Sequence, residues 1–167
     1  QYGPFSAAGS WAYRYSLFVD DADSVKWLGD NSVEFVPHLA HKQVPLPDGS
    51  SCTINGTAAT KNIPLCTAEA LDGALRFNSN SLSMKYLMGW NEAYDSSGAK
   101  AWKVQKKYIA PVDAATYWRT VVQGLGQRAG LALVSPTTGV ETKKLGWFGD
   151  MLLACWSQRD LGCDVET

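Results

Sequence analysis

The stretch Tyr86–Asp95, YLMGWNEAYD, places a carboxylate just past a run of apolar residues. Tyr86, Leu87 and Met88 read as a buried strand, Gly89 and Trp90 as its exit, and Asn91-Glu92 as the first polar pair beyond it. In parallel α/β folds the chemistry gathers beyond the carboxyl ends of the strands. A carboxyl held there between Trp90 and Tyr94 has its pKa raised by apolar neighbours, as the proton donor of a glycosidase requires. The plainer alternative is that Glu92 caps the following segment or pairs with a lysine. Local pattern leaves both open.

Other candidates carry less. His38 and His41 stand three apart in VEFVPHLAH, and on a strand that spacing points the imidazoles to opposite faces. A metal pair is therefore not expected, and His38 is read as lining a cleft. Asp20, Asp21 and Asp23 suggest a calcium cluster, but helix capping explains them better. Ser135 lies in no GxSxG frame, and neither a GxGxxG nor a phosphate-binding loop is present. Neither metal nor cofactor is expected.

A net charge of -1 over 167 residues gives no reason to expect a nucleic-acid partner. No apolar run approaches the roughly 18 residues a membrane span needs. Seven Trp and seven Tyr are a heavy load for this length; core packing is the commoner explanation, and a sugar-stacking surface is the other, since flat aromatic faces suit the apolar faces of sugar rings. Cys52, Cys66, Cys155 and Cys163 fall into two local pairs, so Cys52–Cys66 and Cys155–Cys163 is the simplest pairing. With the sequon Asn55-Gly56-Thr57, this favours a secreted glycoprotein, extracellular or in the cell wall. The start at Gln1 reads as that of a processed product.

The elements that must position these residues alternate. Strands are expected at Trp11–Tyr15, Val33–Leu39, Tyr86–Trp90 and Leu131–Ser135, with the opening of another at Cys163–Val165. Helices are expected over 20–29, Thr67–Phe77, Asp113–Ala129 and Thr142–Ser157, the last with Leu145, Phe148, Leu152 and Trp156 on one face. Residues 42–66 read as a long loop stapled by its own disulfide, and the lysine-bearing run 95–111 as a solvated face. The strands look like apolar runs rather than alternations, which predicts a parallel sheet covered by helices. The whole chain, 1–167, reads as one α/β domain. Periodicity allows a (β/α)8 barrel or a small open parallel α/β sheet, and a barrel needs about 200 residues at the least.

YLMGWNEAYD is similar to the LLGFNEPD-type motif of glycoside hydrolase family 128, secreted endo-β-1,3-glucanases. PFSAAGSWAYRY resembles the family's segment ending in WAYNW, VEFVPHL its VEFVPML strand, and APVDAATYW its SPEEAAxYW helix start. LALVSP resembles its LVSPA strand, and WFGDMLLAC with GCDV its WLDxFLxxC…CxVDF stretch. The order is kept over most of the chain.

The resemblance implies a (β/α)8 TIM-barrel fold and retaining hydrolysis of β-1,3-glucan. By the same mapping this chain holds barrel strands two to five and the start of six. Glu92 matches the general acid/base, and Asn91 the residue that binds the sugar 2-hydroxyl. Trp11, Tyr15, His38, Trp90 and Tyr94 would line the groove. Three positions depart from the pattern: Ala93 replaces the proline after Glu, Tyr15 a Trp, and Arg14 an Asn. The family's nucleophile is a second Glu on the seventh strand, and retention needs two carboxyls about 5–5.5 Å apart. Neither Glu141 nor Glu166 matches it. The nucleophile is thus expected outside these residues, in a longer chain or a second chain that completes the fold, and without it the chain is expected to be inactive. The alternative is a degenerate relative that binds glucan or serves as a structural extracellular protein.

Overall fold

The computed structural model describes residues 11–14, 16–39, 43–54, 62–90, 109–136, 142–157 and 163. Its elements are β1 (Trp11–Arg14), α1 (Ala22–Asp30), β2 (Glu34–Pro37), β3 (Gln43–Pro45), β4 (Ser51–Thr53), α2 (Ala68–Arg76), β5 (Tyr86–Met88), α3 (Pro111–Tyr117), a π-helical segment (Trp118–Val122), α4 (Gln123–Ala129), β6 (Ala132–Val134) and α5 (Thr142–Ser157). This is a mixed α/β structure with small parallel sheets.

β1 pairs with β2 in parallel, Trp11 opposite Glu34 through Arg14 opposite Pro37. β5 pairs with β6 in parallel, Tyr86 opposite Ala132 through Met88 opposite Val134. The two pairs meet along β2 and β5, where Phe35 N donates to Ser83 O and Leu39 N to Met88 O, at 2.9 and 3.0 Å. Between these donors stands Pro37, which has no N–H to give. The ladder is therefore interrupted, and a single bridge, His38 with Met88, remains.

Alternation divides the strand residues. Ala12, Phe35, Leu87 and Leu133 are buried against the helices. On the opposite face Trp11, Glu34, Tyr86, Met88, Ala132 and Val134 keep some exposure, although Val36 is buried. Among the described residues the helices pack on the face that carries Ala12, Phe35, Leu87 and Leu133.

The helix ends follow local chemistry. Asp21 caps α1 by accepting from Ser24 N at 2.7 Å, and Thr67 caps α2 through Ala70 N at 3.1 Å. α1 runs past Gly29. Val33 N donates to Leu28 O and Ser32 N to Gly29 O, which puts Ser32 in the left-handed region at φ 51°. Gly130 plays the same part after α4 at φ 68°, with Leu131 N donating to Gly126 O. α3 starts two residues before the expected Asp113, because Pro111 suits the first helical position, where its missing N–H has no partner to lose.

Residues 43–54 form more than a loop. β3 and β4 pair antiparallel, Val44 opposite Cys52. Asp48 accepts from Ser50 N at 2.9 Å, and Gly49 turns the chain at φ 84°. Cys52 is bonded to Cys66 and Cys155 to Cys163. α5 spans the expected residues but buries a different face. Trp147, Met151 and Cys155 face the core, while Leu145, Leu153 and Trp156 stay exposed. The reason is specific: the Trp147 indole donates to Ile109 O at 2.7 Å and fixes the helix's rotation. Residues 91–108 and 164–165, with the expected solvated run and the last strand opening, lie outside the described residues.

Candidate active site

The carboxyl ends of the four parallel strands lie level. His38 N donates to Ser16 O, Leu39 N to Met88 O and Gly89 N to Val134 O, each at 3.0 Å. These bonds carry the sheet one or two residues past the strands and bring the chain out at His38, Trp90 and Pro136.

His38 is 1% exposed. Its Nδ1–H donates to the Leu39 carbonyl at 3.0 Å, and burial pulls its pKa below the ordinary 6.5 despite that bond. The ring is neutral at pH 7. It is built to hold a fixed orientation, not a charge.

Trp90 is fully buried. Its ring packs on Tyr117 at 6.0 Å and on Trp118 at 5.9 Å, the latter edge-on. Trp90 thus packs into an aromatic cluster at the strand exit. Gly89 explains the close approach: a Cβ there would lie 2.8 Å from both the Trp118 ring and Pro136 N. Trp90 Nε1 and Tyr117 Oη are buried without hydrogen-bond partners among the described residues. Burial also pushes the Tyr117 hydroxyl upward, so it stays protonated.

Trp11 stands apart from these. It opens β1 opposite Glu34, at the amino ends of the strands, and is 52% exposed. With Glu34, Val36, Lys85, Tyr86, Met88 and neighbours it lines a trough of about 460 Å³ on the open face of the sheet. Glu34 Oε2 pairs with Lys85 Nζ at 3.0 Å, and that hydrogen bond raises the lysine's pKa. The structure thus gathers His38 and Trp90 at one end of the sheet and leaves Trp11 at the other. Tyr15, Asn55, Asn91, Glu92 and Tyr94 lie outside the described residues. Among the described residues no three His, Cys, Asp or Glu side chains are grouped to hold a metal ion.

The sequence reading missed the Gly89–Trp118 contact and the Glu34–Lys85 pair. Glu34 interrupts an otherwise apolar VEFVP, which was a visible signal. Trp118 was visible only as one more apolar residue on a helix.

A protein-family model described as glycosyl hydrolase catalytic core matches residues 5–167. The chain belongs to that family. Two solved structures are similar to it. One is a GH128 (subgroup VI) exo-beta-1,3-glucanase from Aureobasidium namibiae, 16% identical, with a TM-score of 0.49 over 89% of this chain. The other is a family 51 alpha-L-arabinofuranosidase from Bifidobacterium longum, 14% identical, with a TM-score of 0.45 over 86% of this chain. The chain spans 42% of the first structure's length and 25% of the second's. No curated protein sequence matches it.

Proposed function

We propose that this chain is part of a secreted, retaining glycoside hydrolase acting on β-1,3-glucan, with Glu92 as general acid/base. The observation that carries the reading is the family match across 5–167, which includes YLMGWNEAYD. The level strand ends support it, because the segment entering Asn91-Glu92 leaves the sheet at its carboxyl end, where such folds keep their chemistry. In this reading Glu92 protonates the departing glycosidic oxygen and later takes a proton from water. Asn91 holds the 2-hydroxyl of the sugar being cleaved. Tyr15 and Tyr94 line the groove, with the buried His38 beneath it.

The second carboxyl comes from residues beyond these 167, in a longer chain or a second one. Strands β1, β2, β5 and β6 would be consecutive strands of a (β/α)8 barrel. Their order in space follows their order in the chain, and the rest of a barrel would cover the face of the sheet turned away from the described helices. The two disulfides suit an oxidising, extracellular setting, and Asn55 is the proposed glycan site.

Ala93, in place of the family's proline, favours a second reading as a glucan binder without turnover. Glu92→Gln separates the two. In an enzyme, laminarin hydrolysis falls about 10²–10⁴-fold while oligosaccharide affinity is kept. Hydrolysis equal in wild type and variant overturns the assignment of Glu92. Affinity without hydrolysis in the wild type, as its source makes it, supports the binder.

A further inference from the structure

We infer that the cleft between α1 and residues 77–81 is a binding site for a neutral oligosaccharide. Asn78 and the aspartates of α1 are its polar contacts, and Phe77 is its stacking surface. None of the residues at the strand ends lines it. That the oligosaccharide is a β-1,3-glucan rests on the proposed function; the site itself does not.

One face of α1 forms a wall. Asp21, Val25 and Gly29 recur at the helical interval, with Lys26 and Asp30 beside them, and all line a cleft of about 490 Å³. At 1.5 Å per residue that wall is about 13 Å long, which suits a short oligosaccharide. Phe77, Asn78 and Ser81 form the opposite wall. A Cβ on Gly29 would crowd Ser81 O at 3.3 Å, so the glycine lets the two walls approach at that end.

Asn78 is 6% exposed, and its position is fixed. Its carbonyl accepts from Ser81 N and Leu82 N at 2.9 Å each, and its Oδ1 accepts from Val19 N at 2.7 Å. Val19 N can only donate, so the amide must turn its oxygen toward it and its nitrogen away. Among the described residues that Nδ2 donates to no other group. A nearly buried donor left unused on a cleft wall calls for an acceptor brought from outside.

The acidic groups do not suit a cation. Asp20 pairs with Arg14 and Asp30 with Lys26, each at 2.6 Å, and Asp21 accepts from Ser24 N. Among the described residues no three of them gather to hold a metal ion. Each carboxylate keeps acceptor capacity beyond the bond it makes. Sugar hydroxyls both donate and accept, so they match an unused amide donor and unused carboxylate lone pairs together. Asn78 stands at the Val19 end of the cleft and Asp30 toward the Ser81 end, which favours an oligomer over a single ring. Phe77 supplies the apolar contact. Its ring is set by an edge-on meeting with Phe18, centroids 5.4 Å apart, yet the residue stays 55% exposed.

The test titrates laminarihexaose into the protein carrying Glu92→Gln, so that no turnover intervenes, and follows it by amide NMR. Saturating shifts are expected in the Asn78 side-chain amide and in the backbone amides of α1 and 77–81. Phe77→Ala should weaken this binding about 10-fold. Asp30→Ala should weaken it several-fold, and its exposed ion pair contributes little to the fold. No shift at Asn78, shifts confined to the strand ends near His38 and Gly89, or unchanged binding in both folded variants overturns the inference. So does a response of Asn78 to calcium in place of the sugar. Saturating shifts with maltohexaose and none with laminarihexaose would support the saccharide site and defeat the β-1,3-glucan reading of the proposed function. Shifts at Asn78 alone, in a protein without hydrolysis, would leave this site standing without the catalytic role of Glu92.

Discussion

His38 and Trp90 both stand at strand ends, and residue type alone reads both as groove residues. Each is almost completely buried: one is a neutral imidazole bonded to its neighbour's carbonyl, the other an indole wedged between two aromatics. The buried imidazole has a consequence for stability. Above the ordinary pKa of 6.5 neither the folded nor the unfolded chain binds the proton, so His38 contributes no pH dependence. As pH falls below that value the unfolded chain takes up the proton first. Stability therefore declines until the lowered folded pKa is reached. Urea melts at a series of pH values should show a slope that is smaller in a His38→Gln variant, and equal slopes would contradict the assignment. What the sequence could not reveal is the partner of each ring. Trp118 lies 28 residues from Trp90 in the chain, and only the packed helix joins them.

At the scale of elements, most of the helices were legible because their caps are local. Asp21, Thr67 and Gly130 act through bonds within one turn. The β3–β4 hairpin is equally local. Pro47-Asp48-Gly49 between two short extended runs is a turn signal in its own right. The face that α5 buries was not legible, since that helix is apolar on several sides and a distant bond from Trp147 to Ile109 selects one. The π segment had no signal in the apolar spacing. Two predictions belong here. Ser32 holds a left-handed conformation that disfavours side chains, so Ser32→Gly should raise stability by about 0.5–1 kcal/mol in denaturant melts. A loss would mean the Ser32 side chain has a role of its own. Replacing Cys52 and Cys66 together by alanine should cost about 3 kcal/mol, because the bond closes a loop of sequence separation 14.

On the scale of the whole molecule, the described strands are covered by helices on one face, and the other carries Trp11, Tyr86, Met88 and Val134. Parallel sheets are ordinarily covered on both faces. The 167-residue chain produced alone should therefore self-associate or bind an apolar dye at micromolar concentration. Tyr86→Lys should reduce either behaviour, because it places a charge in the middle of that face. A dye-silent monomer by analytical ultracentrifugation would show that the face is already satisfied within this chain. The alternation that bares the face was readable in part, through Glu34 in VEFVP and the aromatics at the strand starts. Which other residues the sheet needs was not.

The proposed function stands or falls on Glu92 as acid/base, and leaving-group chemistry tests that role most directly. A glycosidic oxygen in a glucan must be protonated to depart, whereas a dinitrophenolate departs without help. The measurement compares Glu92→Gln with wild type, in the protein as its source makes it, on laminari-oligosaccharides and on their dinitrophenyl glycosides. The expected result is loss of oligosaccharide hydrolysis by about 10²-fold or more, with a retained burst of dinitrophenolate as the glycosyl-enzyme forms. Undiminished oligosaccharide hydrolysis, or loss of both reactions alike, would contradict it.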